Sequence, residues 1–319
     1  MFPMYFKSVE LFKKANLAHW PYVLYAAYLG IFLLGFGASA TSPAPPSVSP
    51  TDSKKPAVAS AEELAKLRTK IDIKTVHPGQ AFNLVLIFDI QPQWHIYWKN
   101  PGEGAPSPDV VVQVPDGFKV GKIRWPRPIE MDSPFGPEYV YEKQAALFVP
   151  ITAPKKLSDG QIEIKADVRW AVCKHICLWG SDKQTLKLAT SSSSRELKSK
   201  DAQIDPEITK LSKRLPKPLK NSKDTDSAAA SFDGSKLTIT GPAHGFSSVK
   251  FFPGFSPGVT YSWSQAIIQD GRFTLIVDIK INRLNTLSKP IVLEGLVALG
   301  SKLDDPSYEF QVPVPKQSR

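Results

Sequence analysis

Cysteine is almost absent from this sequence: 319 residues contain two, Cys173 and Cys177. Any thiol chemistry or cross-link must therefore run through this one pair. Methionine is nearly as scarce. Beyond Met1 and Met4 only Met131 remains, which excludes a methionine-rich metal site. There is no G-x-S-x-G elbow, phosphate-binding loop or zinc-helix motif, which removes the common hydrolase, nucleotide and metalloprotease chemistries. Lysines are scattered and no nucleic-acid motif accompanies them, so the net charge of +10 reads as solubility and attraction to an anionic membrane surface. No segment after residue 40 is apolar enough to cross a membrane.

The N-terminus carries export features. Lys7, Lys13 and Lys14 precede an apolar run from Pro21 to Phe36, and Ala38-Ser39-Ala40 follows in the small-x-small form of a cleavage site. The expectation is a cleaved signal peptide over 1–40 and a mature protein in the periplasm. An uncleaved membrane anchor is the alternative. Residues 41–60, rich in Pro, Ser and Ala, read as a flexible linker.

The length exceeds what one core usually fills. Proline, at 29 residues, sits at strand-like ends and in linkers, favouring a β-rich fold. A short helix is predicted over Ala61–Arg68. Strand candidates follow: IDIKTV, FNLVLIFDI after a His77-Pro78-Gly79 turn, WHIYW, DVVVQV, FKVGKIRW, EYVYEKQAALFVPI, QIEIKADVRWAV and QTLKLA. Their short spacing predicts an antiparallel sandwich over 61–190. Residues 191–228 read as a polar linker with a helix near Pro206–Leu215. A second β-sandwich is predicted over 229–319, with an Asp270-Gly271 hairpin.

The pair lies in RWAVCKHICLWG. Four residues of strand span about 13 Å, whereas a disulfide needs Cα atoms about 4.4–6.8 Å apart. The chain must therefore turn between the cysteines if they pair. A structural staple there contributes only about 2 kcal/mol, because the loop is short. Spacing alone leaves staple, redox and metal roles equally open. Lys174 and His175 lie between the sulfurs; a nearby cation stabilises a thiolate, and the plain reading is that both face solvent. His77, His95 and His244 have no ligand spacing with the pair and read as surface or turn residues. Alternation puts Trp94, Ile96 and Trp98 on one strand face, and His95 and Tyr97 on the other.

Three stretches resemble one family. VRWAVCKHIC is similar to the redox segment of the N-terminal periplasmic domain of the disulfide reductase DsbD, and more so to the suppressor-of-copper-sensitivity (ScsB) branch, with Trp170, Cys173 and Cys177 at that branch's spacing. QWHIYWKNPGEG (93–104) resembles the aromatic strand beside the cysteines. DSPFGPEYVYEKQAALFVPI (132–151) resembles the cap loop and its following strand.

The resemblance implies an immunoglobulin-like sandwich with a redox-active disulfide and no other cofactor, acting as a protein-disulfide-reductase-like component. Cys177 would attack or be attacked, and Cys173 would resolve the mixed disulfide. Phe135 matches the capping aromatic and Tyr97 a tyrosine near the pair. Asp132 and Glu138 flank the cap, where they could exchange protons. Implied partners are a membrane-embedded electron donor on a separate chain and periplasmic thioredoxin-like or disulfide-isomerase-like proteins. Trp179 stands where relatives with this spacing commonly carry proline. The alternatives are Cu(I) binding or copper tolerance through Cys173, Cys177 and His175, and a binding module with a structural disulfide.

Overall fold

The computed structural model describes residues 59–193, 205–219, 228–263, 265–282 and 290–315. The expected signal peptide, and all but the end of the tether after it, lie outside these residues. Among the described residues, no helix is long and apolar enough to cross a membrane.

The one-turn helix α1 (Ala61–Leu64) leads into β1 (Ala65–Ile71), β2 (Thr75–Val76), β3 (Ala81–Ile90), β4 (His95–Gly102), β5 (Asp109–Gln113) and β6 (Lys119–Val120). Then come β7 (Ile129–Ser133), β8 (Gly136–Glu142), β9 (Gln144–Thr152), β10 (Gly160–Cys173) and β11 (Cys177–Thr190). Helix α2 (Pro206–Ser212) and β12 (Lys217–Pro218) follow. The remaining strands are β13 (Ala229–Phe232), β14 (Lys236–Pro242), β15 (Val249–Pro253), β16 (Val259–Trp263), β17 (Ile267–Gln269), β18 (Arg272–Ile281), β19 (Val292–Leu299) and β20 (Ser307–Pro313).

Two sheets build the first sandwich, in the orders β1-β3-β9-β6 and β2-β11-β10-β4-β8-β7, with β5 added to β10. Period-two alternation supplies the core between them. Phe82, Leu84, Leu86, Phe88 and Ile90 of β3 point inward, towards Ile96 and Trp98 of β4 and Ile164, Val168, Trp170 and Val172 of β10. The opposite face of β3 and β9, with Val85, Ile87, Ala146 and Phe148, is covered by Ile208 and Leu211 of α2. Charge fixes that helix. Arg68 bonds Asp89 and Glu207, and Lys70 pairs with Asp205 and Glu207.

The second sandwich has sheets β12-β20-β19-β15 and β13-β14-β18-β16, with β17 on β18, around Leu237, Phe251, Phe273, Val277 and Leu293. It packs directly on the first. Phe252 meets Trp98 and Tyr139 edge-on at 6.2 and 5.5 Å. Buried Arg127 donates from Nη1 and Nη2 to the carbonyls of Leu299 and Gly300, both at 2.7 Å.

Several sequence expectations change. The first helix ends at Leu64 because Ala65–Ile71 is taken into the ladder with β3, an override of local propensity by pairing. EYVYEKQAALFVPI is two strands, broken at Lys143 with φ 62°. FKVGKIRW holds only the short β6 and an isolated bridge from Arg124 to Phe148. The second helix stops at Ser212. Its segment is docked rather than a free linker, since β12 pairs with β20. The two expected turns are present, at Gly79 with φ 70° and at Asp270-Gly271 with φ 51° and 71°.

Candidate redox site

Strands β10 and β11 are each fourteen residues long and pair without a break from Gly160↔Thr190 to Cys173↔Cys177. The cysteines are the last rung before a three-residue tip, Lys174-His175-Ile176. They form a disulfide with Cα atoms 4.1 Å apart. The turn that the spacing required is thus a hairpin end. Lys174 N–H donates to the Ile176 carbonyl at 3.0 Å and closes it.

The two sulfurs differ in access. Cys173 is 3% exposed, while Cys177 is exposed. Cys173 also pairs with His95 of β4, and His95 pairs with Glu142 of β8. Directly opposed residues of antiparallel strands share a face. Cys177, Cys173, His95 and Glu142 therefore form one row across four strands. Tyr97, Val140 and Ala171 pack with Cys173, joined at the margin by Ala105, Ile129 and Met131.

A polar group is buried in this row. The Tyr97 hydroxyl donates to Glu138 Oε2 at 3.2 Å and lies 3.1 Å from His95 Nε2. Burial pushes the Tyr97 hydroxyl up to about 12. Burial also lowers His95, against the opposing charges of Glu138 and Glu142. The next segment is shaped around the tyrosine. A Cβ on Gly104 would lie 2.1 Å from Tyr97 Cε1, so only glycine lets the chain cross that ring.

His95 is the clearest correction. It is no surface or turn residue, but 5% exposed and a ladder neighbour of Cys173. Nothing local marks it, because its partner is 78 positions away. The alternation that put His95 and Tyr97 together was the available signal. Trp170 is not with the pair. It lies on the opposite face, in the core, edge-on to Phe88 at 5.3 Å and tight against Gly180. Tyr97 packs beside Cys173. Lys174 and His175 are exposed, and Lys174 Nζ bonds Gln93 Oε1.

The β7–β8 hairpin borders the site through Ile129 and Met131. Its tip carries Phe135, 83% exposed, so in this conformation the ring is not packed down as a cover. Asp132 is exposed on the same hairpin. Trp179 pairs with Ala171, which sets it on the disulfide face, and it is exposed. Among the described residues, no group of three or more His, Cys, Asp or Glu side chains gathers to hold a metal ion.

Residues 61–189 match the family model described as thiol:disulfide interchange protein DsbD, N-terminal. The N-terminal periplasmic domain of ScsB from Proteus mirabilis superposes with a TM-score of 0.53 at 15% identity, covering 79% of this chain and 94% of that one. That coverage extends beyond the first sandwich, so the likeness of fold includes part of the second. The reduced DsbD N-terminal domain of Neisseria meningitidis is also similar, at 14% identity, 40% coverage of this chain, 86% of that chain and a TM-score of 0.26. No curated protein matches. Residues 61–189 form a β-sandwich that is similar in sequence to the DsbD N-terminal family model and in fold to the ScsB N-terminal periplasmic domain.

Proposed function

We propose that Cys173 and Cys177 carry electrons outside the cytoplasm, from a membrane-embedded donor on a separate chain to thioredoxin-like or disulfide-isomerase-like partners. The observation that carries this reading is the asymmetry of the pair: one sulfur exposed at a hairpin tip, the other buried behind it. Exchange proceeds through a mixed disulfide, which needs one accessible attacking sulfur and one shielded resolving sulfur. Cys177 fits the first role and Cys173 the second.

The fourteen-residue ladder holds the tip whether or not the sulfurs are joined. Reduction therefore costs little of the fold, as a carrier requires. Phe135 acts as a movable cap on the neighbouring hairpin, displaced when a partner docks. The export features at 1–40 support a periplasmic location for the domain.

The test is the reduction potential of the pair, measured by equilibration with glutathione in the intact chain. A carrier poised for electron delivery equilibrates with periplasmic reductants. A pair that stays oxidised at potentials below about −300 mV behaves as a structural disulfide and removes the proposal.

A further inference from the structure

The resolving step in this scheme has a difficulty that the structure itself raises. Cys173 must lose a proton before it attacks, yet it is buried, and burial in apolar surroundings disfavours a thiolate. Solvent reaches Cys177, not Cys173. A proton acceptor inside the site is needed.

We propose that His95 is that acceptor, and that Tyr97 and Glu138 are positioning residues that hold it ready. The inference rests on the carrier role above. Its basis is the cross-strand row: His95 is the direct ladder partner of Cys173, and Cβ atoms in such pairs lie about 4.5–5.5 Å apart.

The hydrogen bonds select the tautomer. Tyrosine has one hydroxyl proton, and Tyr97 gives it to the Glu138 carboxylate, which can only accept. The contact between the Tyr97 oxygen and His95 Nε2 must then be donated by Nε2–H. Nδ1 keeps its lone pair and can take a proton from the row neighbour. Burial keeps the ring neutral at rest, and the resulting imidazolium would be met by two carboxylates of β8, Glu138 and Glu142. The groups facing His95 are those two, Tyr97 on its own strand and Cys173 on β10.

The step balances. The Cys177 thiolate attacks a partner disulfide, forming a mixed disulfide and releasing one partner thiolate. His95 takes the Cys173 proton. The Cys173 thiolate then attacks Cys177 Sγ, forming the internal disulfide and breaking the mixed one. The partner's second sulfur leaves with the last of two electrons, and His95 returns its proton to solvent or to that thiolate.

The test uses the full chain, reduced and mixed anaerobically with dithiodipyridine in a stopped-flow instrument. The wild type should release thiopyridone in two phases, the first from Cys177 and the second from attack by Cys173. Cys173→Ser should remove the second phase and so identify it. His95→Gln should slow that phase about 100-fold, within the usual range for acid–base catalysis, and leave the first within about twofold. Its second phase should also climb with pH in proportion to hydroxide, where the wild type levels off above the imidazole pKa. Tyr97→Phe should slow the same phase by a smaller factor; it remains informative if His95→Gln does not fold.

Equal slowing of both phases, or an unchanged second phase with an unchanged pH profile, overturns the inference. A wild-type pair that cannot be reduced by dithiothreitol at all defeats the carrier role, a result distinct from either of these.

Discussion

The two sandwiches of this chain use the same construction and differ in what their outer surfaces carry. In the second, the core around Phe251, Phe273 and Leu293 is apolar, and no cysteine lies in its sequence. In the first, the outer face of the β10–β4–β8 sheet carries a disulfide, a buried histidine and tyrosine, and a half-buried glutamate. The inner face of β10 packs the core through Ile164, Val168, Trp170 and Val172; the outer face carries Cys173, to which the proposed exchange chemistry belongs. Period-two alternation lets one strand serve both needs with little interference.

That division can be broken from either side. Cys177→Ser should abolish two-step exchange with a disulfide reagent while the far-ultraviolet dichroism stays native. Loss of folding would show instead that the outer face is structural. Trp170→Ala attacks the inner face and should cost about 3–5 kcal/mol in denaturant unfolding, with exchange rates of the folded fraction close to wild type.

Arg127→Ala addresses the seam between the sandwiches. It removes two hydrogen bonds from a buried guanidinium, each worth about 1.5–3 kcal/mol when one partner is charged. Calorimetry should then show the single transition separating into two.

Acid is a gentler probe, of the α2 side alone. Hydrogen bonds from Arg68 and then Lys70 hold the Glu207 carboxyl down at about 2, against an ordinary 4.5. A carboxyl lowered on folding adds stability above its unfolded value and loses it as pH falls through the folded one. Protection of the α2 amides from hydrogen exchange should therefore fade between about pH 4.5 and 2, and Glu207→Gln should remove most of that dependence. The smallest effect is expected at Phe135→Ala: under about 0.5 kcal/mol, since the ring is exposed. Faster oxidation of the reduced pair by peroxide would accompany it if the ring caps the site.

Much of this was legible in the sequence because it depends on local pattern. The turn between the cysteines followed from the reach of four residues. The Asp270-Gly271 hairpin and the pairing of His95 with Tyr97 on one face followed from turn chemistry and alternation. The rest depended on contacts distant in the chain. Trp170 resembled a site residue by spacing, yet its parity differs from that of Cys173, which turns it inward. The segment around Lys217–Pro218 looked like a linker because its pairing partner lies some 90 residues on. His95 looked like a surface histidine for the same reason.

The β10–β11 hairpin has one further consequence. Its disulfide closes only a three-residue tip, and the strands behind it are already fastened rung by rung. Oxidation and reduction thus alter a terminal bond at the end of a stiff arm. In the proposed carrier role, such an arm presents its sulfur to a docking protein at a constant height and angle in either redox state. Recognition of this tip should then depend on its electron count and very little on its shape.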